Sequence, residues 1–484
     1  MVPMDPWSAD GYVIARELFQ RGVGLVYVVA FAAVVHQWRP LLGSDGLTPV
    51  PAFVARVSWR SSPSLFHLGY ADRLAVGGAW FGMALSAAVV LGLPQAAGTA
   101  TTLATFAVLW LLYLSYVNVG QVWYAFGWES ILLEAGFLAM FLGGHDSAVP
   151  WPALLLVRWL LFRVEFGAGL IKWRGDPCWR DLTCLDYHHE TQPLPSVFSW
   201  HFHRLPRSLH RIEVAANHVT QLLLPALLFL PQPLAGITAV AVLVTQAWLV
   251  VSGNFAWLNL VTMVLATAAL PDTWLGGTGG PLGVLAPREV AATTPGWFAV
   301  LVSMVAAAQV VMSWWPVRNL LSRTQRMNAS FNPLHLVGTY GAFGSVTRHR
   351  FEIVLEGTLD PDPDEDADWH AYEFPAKPTD PRRRPPQVAP YHLRLDWLLW
   401  FAAMRPGPGP RDRWFLALLE RLLEGDPGIR RLLRVDPFDG RAPTAVRARR
   451  YHYRFTSRAE RRDTGAWWHR ERAGDYTGIV RRPP

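Results

Sequence analysis

The chain has 484 residues, 51% of them hydrophobic and only 17% charged, with 24 Trp and 24 Phe. A typical soluble domain carries about 25% charged residues, so this balance argues against an ordinary globular protein in water and points to a bilayer. The net charge of +7 brings no nucleic acid with it: the basic residues flank apolar segments or gather after residue 316, without zinc-finger spacing or an aromatic-basic RNA-reading pattern.

Arg16, Glu17 and Arg21 precede the first apolar run, and no small-residue cleavage site closes it. It therefore reads as a retained membrane helix and not as a signal peptide. Crossing a bilayer takes about 20 apolar residues, and nine segments qualify: 20–38, 73–94, 100–118, 122–142, 150–172, 212–232, 234–251, 254–271 and 296–315. Trp38, Trp123, Trp151 and Trp314–Trp315 sit near segment ends, as interfacial aromatic belts do. The spacers at 119–121 and 252–253 are very short, which leaves a count of eight or nine transmembrane helices.

After Pro316 the texture changes. Residues 345–358 alternate and are rich in β-branched residues, which predicts a strand ending at Gly357. The acidic stretch 360–368 and the proline-arginine stretch 378–390 read as loops. Residues 391–404 read as strand or short helix, and 444–456 as strand. Residues 412–424 predict an amphipathic helix with Leu416, Leu419 and Leu423 near one face. The expected architecture is a multi-pass α-helical membrane domain over 1–318, followed by a soluble, β-rich α+β domain over 319–484.

Segment 150–172 carries the most chemistry. Arg158, Glu165 and Lys172 recur at i, i+7 and i+14, which places them on one stripe of a helix. Ionisable groups in a membrane helix are costly and face protein or a wet cavity. Arg158 to Glu165 spans about 10 Å at 1.5 Å per residue, so partners on other helices are needed. Glu129 and Glu134 are candidates from the preceding helix, and Asn217, His218 and Gln221 from the following one. One reading is a buried polar network that fixes packing. The other is a catalytic cavity with Lys172 as base and Glu129, Glu165 and His218 as its polar lining.

Cys178 and Cys184, the two cysteines, are too few for a disulfide-built scaffold or a four-cysteine metal site. Outside the cytoplasm they can form a disulfide that pins the loop; inside it they stay reduced. A redox-active pair has the wrong spacing for Cys-x-x-Cys, and a zinc site would have to recruit His188 or His189 at unusual spacing. No metal or cofactor is expected. His201 and His203 read as loop or interfacial residues. Gly253, Asn254 and Asn259 offer amides to a polar pocket, or Asn254 caps a helix. No nucleophile elbow or phosphate-binding loop appears.

Two long stretches, GLIKWRGDPCWRDLTCLDYHHETQPLP at 169–195 and SFNPLHLVGTYGAFGSVTRHRFEIVLEGT at 330–358, resemble the lipase maturation factor family. GWESILLEAGFLAMFL at 127–142, RYHYRFT at 450–456 and WWHRE at 467–471 are similar to it as well. The first stretch brings Arg174, Gly175, Asp176, Trp179, Arg180 and Asp181 as the family-motif loop. The resemblance implies a non-enzymatic, multi-pass membrane protein that assists folding or assembly of a client, a secreted lipase, in the endoplasmic reticulum. Composition rich in Ala, Arg and Pro suggests a bacterial member in a plasma membrane. A shorter likeness, Ala168 to Lys172 with Asp176 and Trp179, is to vitamin K-dependent carboxylases and implies Lys172 as base toward a lipid-like substrate.

Topology poses a conflict. Arg39, Arg56, Arg60 and Arg73 lie between the first two segments, and Lys172, Arg174, Arg180, Arg204, Arg207 and Arg211 between the fifth and sixth. With nine crossings, the positive-inside rule puts these loops and the C-terminal domain in the cytoplasm. A helper of secreted proteins should work on the other side.

Overall fold

The computed structural model describes residues 7–277, 280–287, 291–410 and 412–482. All nine apolar segments contain helix: α1 (Val13–Leu42), α2 (Asp72–Val90), α3 (Thr99–Val119), α4 (Gly127–Ala139), α5 (Trp151–Arg174), α6 (Arg207–Phe229), α7 (Leu234–Ser252), α8 (Leu258–Thr267) and α9 (Gly296–Leu321). Among the described residues, six are long and apolar enough to cross a membrane: α1, α2, α3, α6, α7 and α9. The other three lie inside that ring. No residue of α4 or α8, and none of α5 before Trp173, is exposed. A helix without a lipid-facing side can be short, or can carry Arg158, Arg163 and Glu165, as α4, α5 and α8 do between them. The sequence count of eight or nine thus resolves into six full-length apolar helices around three enclosed ones.

The helices run up and down between two ends. At the first end, Arg16 Nη1 donates to the Gly144 and Ser147 carbonyls (2.7 and 2.8 Å). There too the Asp272 carboxylate accepts from the Val13 and Ile14 amides (2.8 and 3.0 Å), and Ala148 N donates to Thr293 O (3.1 Å). The second end gathers the loops 43–71, 175–206 and 253–257 together with the chain beyond α9. Asn254 shows the join: its side chain bonds Pro195 O and Pro386 O (3.1 and 2.9 Å) and accepts from the Val388 and Ala389 amides (2.7 and 2.8 Å). It therefore ties two loops together; it does not cap the helix behind it.

The C-terminal region builds a four-stranded antiparallel sheet in the order β2-β1-β3-β4, from β1 (Arg350–Thr358), β2 (His370–Ala371), β3 (Ala445–Phe455) and β4 (Trp468–Arg481). Residues 391–404 resolve to helix α10 (Arg394–Ala403), and α11 (Arg413–Leu423) follows. On α11 the buried face is Trp414, Phe415, Leu418, Leu419, Leu422 and Leu423, whereas Leu416 is 49% exposed. The expected face was thus rotated by one residue at its first position. A seven-residue α12 (Arg458–Thr464) opens on a Ser457–Glu460 capping box.

The sheet does not sit apart from the bundle. One apolar cluster runs from Tyr27 and Tyr113 in the helices through Trp397 and Phe415 to Val446 on β3. The rings of Trp123 and Trp414 meet at 5.5 Å, and those of Trp128 and Trp397 at 5.0 Å. Aromatic pairs at such distances add to the area they bury.

Candidate functional site

The stripe on α5 divides among separate partners. Arg158, at the first end, donates to Ala268 O (3.1 Å) and Leu228 O (3.2 Å) and stacks its guanidinium between the Tyr12 and Trp151 rings. Glu165 accepts from Gln221 Nε2 (3.0 Å) and Gln246 Nε2 (2.7 Å), and Gln246 Oε1 in turn accepts from Asn259 (2.7 Å). The Lys172 ammonium donates to Asn217 Oδ1 (3.0 Å) and Gln221 Oε1 (2.9 Å) and lies 5.0 Å from the Trp179 ring centre. A π-helical turn, Val219–Leu223, sets Gln221 where it serves both Lys172 and Glu165. His218 stands beside this chain and donates Nε2–H to Trp179 O (3.0 Å). So Lys172, Glu165, Asn217, Gln221 and His218 come together. Glu129 does not join them.

Glu129 instead anchors the C-terminal region. Its carboxylate accepts from the Tyr113 hydroxyl and from Arg394 Nη1 (2.8 Å), with His392 Nδ1 3.6 Å away. Arg394 also reaches the Trp123 carbonyl (2.5 Å) and lies over the Tyr124 ring. One turn along α4, Glu134 pairs with Arg163 and accepts from the Tyr340 hydroxyl (2.7 Å) and Gly338 N (3.3 Å). Arg394, His392, Tyr340 and Tyr113 were not among the site residues expected from the sequence. Their signal was present only weakly, as an arginine inside an apolar stretch and as part of the 330–358 resemblance.

The motif loop is a scaffold of short-range locks. Cys178 and Cys184 are joined as a disulfide, which consumes the two thiolates that a zinc site with His188 or His189 would need. Asp176 caps the turn Pro177–Arg180 by accepting from Cys178 N (3.0 Å), and Arg348 forks onto both its oxygens (2.9 and 2.9 Å). The Arg348 guanidinium holds the Asp176 carboxyl below its ordinary range, against a weaker opposing effect of burial. Trp179 Nε1 donates to Phe343 O (2.8 Å) and Asp176 N to Gly344 O (2.8 Å). A Cβ on Gly175 would run into the Gly344 carbonyl, so only glycine admits this approach. Arg174 ties the loop to the end of α9 through Leu320 O (2.9 Å) and Ser322 O (2.8 Å). Arg180 and Asp181 are exposed on the outer side of the turn.

The same face receives the sheet. Trp200 packs with Tyr453, Phe455, Trp467 and Trp468; Phe455 N donates to Glu190 Oε2 (2.5 Å). His203 lies 3.6 Å from Glu190, and the His201 ring meets that of Trp200 edge-on at 5.0 Å. Arg350 Nη1 donates to Glu190 O (3.1 Å) and Gln192 O (2.5 Å). The start of 127–142 and the stretches 169–195, 330–358, 450–456 and 467–471, scattered along the chain, thus gather toward the second end of the bundle.

Comparison with known proteins agrees with that convergence. Residues 14–276 match the lipase maturation factor transmembrane domain, and residues 336–478 the lipase maturation factor C-terminal domain. The chain is 39% identical to "Lipase maturation factor 1" of Bos taurus over 513 residues, covering 97% of this chain and 89% of that one. It is 39% identical to the Homo sapiens protein of the same name over 505 residues, covering 96% and 87%. With "Lipase maturation factor 2" of Homo sapiens it shares 29% over 592 residues, covering 95% and 82%. No solved structure matches the chain. The chain is an integral, multi-pass membrane protein and belongs to the lipase maturation factor family.

Proposed function

We propose that the chain is a membrane-embedded maturation factor that assists folding or assembly of a secreted lipase, working from the second end of its bundle. The observation that carries this reading is the near full-length match, at 39% identity, to relatives named for lipase maturation. The disulfide in the motif loop supports the side: such bonds persist in oxidising compartments, so the second end faces the lumen or the exterior. The named relatives come from animals, which favours the endoplasmic reticulum over the bacterial plasma membrane that composition suggested. The basic loops at this end run against the positive-inside rule. Two of their arginines are committed to main-chain oxygens, Arg174 to Leu320 and Ser322 and Arg204 to Trp200 and Thr456. Here the charge bias reports anchoring of loops.

A carboxylase-like enzyme with Lys172 as base finds no support. Its ammonium is held by two amide oxygens and an indole face, an arrangement that orders three packed segments. The test is genetic and enzymatic. Cells lacking the chain should secrete lipase protein of several-fold lower specific activity, restored by the wild-type chain and equally by Lys172→Gln. Unchanged lipase in the deleted cells would sink the maturation reading; failure of a well-folded Lys172→Gln to restore activity would revive the enzyme.

A further inference from the structure

A hollow of about 310 Å³ opens where the start of β1 meets the end of α10, lined by Thr347, Arg348, His349, Arg350, Phe351, Trp400 and Met404. Its floor is apolar: Phe351, Trp400 and Met404. Met404 is 40% exposed, and Phe401 (41% exposed), whose ring lies 4.9 Å from that of Trp400, extends the apolar surface beyond the lip. In a soluble region the large apolar side chains left at the surface as one patch mark a contact site. Unlike the exposed Leu and Trp of α2 and α9, this patch belongs to the sheet region and not to a membrane-spanning helix.

The charges at the rim are spent. Arg348 is forked onto Asp176, and Arg350 is paired with Glu352 and bonded to the Glu190, Gln192 and Pro193 carbonyls. An acidic ligand would have to break these pairs to gain anything. An uncharged apolar one would gain the usual transfer of buried surface, about 25 cal/mol per Å². The volume suits a few apolar side chains, near the lower limit of specific small-ligand sites. Arg348, in the wall of the hollow, is also the residue whose bridge to Asp176 locks the disulfide loop, and five of the seven lining residues belong to the stretch 330–358.

We infer that this hollow is the client-docking site: it takes a neutral, apolar, extended segment of a partly folded secreted polypeptide. The assignment rests on the maturation-factor reading above. Met404 is half-exposed at the lip, so Met404→Arg places an unpaired cation in the hollow with little cost to folding. Leu416→Arg, on the exposed side of α11, is the equal-charge control.

The first experiment measures binding of a fluorescent 12-residue Leu/Val/Phe/Ser peptide to the full chain in phosphatidylcholine nanodiscs. Expected is saturable binding that Met404→Arg weakens at least tenfold and Leu416→Arg leaves alone, with a peptide carrying three Asp binding worse than the neutral one. Equal binding to both variants, binding only to empty nanodiscs, or preference for the acidic peptide would overturn the assignment. The second experiment returns each variant to cells lacking the chain and measures secreted lipase specific activity. Loss with Met404→Arg alone supports the site. Full rescue by Met404→Arg overturns the site and leaves the maturation reading standing. Normal lipase without the chain removes the reading and the assignment together.

Discussion

Arg394 and Glu129 form a buried ion pair between the bundle and the C-terminal region. Both are buried, and each is the other's main counter-charge. Removing one partner of such a pair leaves an unpaired charge in a dry interior, at a cost of about 3–5 kcal/mol. Arg394→Ala should therefore lower Tm in detergent by many degrees, while a double variant with Glu129→Gln should recover part of the loss. Additive losses would show that the pair is not coupled. Two residues on from Arg394, burial pushes the Asp396 carboxyl up from 3.8 to about 7, although the Ala376 amide and Lys377 pull the other way. The folded protein holds this proton more tightly than the unfolded chain. Its stabilisation is complete below pH 3.8 and is lost as pH rises through about 7. His188 and His392, pushed down to about 4 mainly by burial, act in the opposite sense: their stabilisation is present above 6.5 and lost as pH falls through about 4. Melting curves of wild type and Asp396→Asn separate the two. The wild type minus variant difference in Tm should shrink as pH rises from 4 to 7, and a flat difference would mean that the carboxyl is already ionised.

At the scale of elements, the two longest family-like stretches prove to be two halves of one packed layer. Gly175 of the first lies against the Gly344 carbonyl of the second, and Gly167, just before the first begins, lies against that of Tyr340. Gly167→Ala should force α5 and the 338–344 loop apart, lowering Tm while leaving the distant α2–α3 packing intact, as local hydrogen exchange would report. Replacing both Cys178 and Cys184 with Ser should cost about 2 kcal/mol by freeing a short loop, and a Tm unchanged by reductant would contradict it. How much of this could be read beforehand follows from the kind of signal. Apolar runs of 20 residues identify themselves, and all nine were legible, but enclosure is a tertiary property, so α4, α5 and α8 looked like spans. Gln221 was legible as a partner for the α5 charges because polar residues on an apolar helix stand out. Arg394 was not, since its partner is 265 residues away. Strand β4, WHRERAGDYTGIVR, went unread because it is an edge strand, charged and largely exposed, without the alternation that a half-buried strand shows.

At the scale of the whole molecule, the disulfide makes the orientation in the membrane measurable. In sealed cells, a membrane-impermeant maleimide should label Cys178 and Cys184 only after an impermeant reductant; labelling that waits for lysis would place the second end in the cytoplasm. The shared core carries a further consequence, about time. A ribosome delivers Glu129 265 residues before Arg394 and Glu134 206 residues before Tyr340. While the remainder is synthesised, α4 must wait in the membrane with Glu129 lacking its cation and Glu134 its tyrosine. The bundle is therefore complete only when the last third of the chain docks. A product that stops near residue 318 would keep Glu129 buried inside the bundle with the Tyr113 hydroxyl but no arginine, the kind of defect that membrane quality control removes, and pulse-chase should show it decaying faster than the full chain. The assistant to another protein's folding would itself be a late folder, finished from its far end.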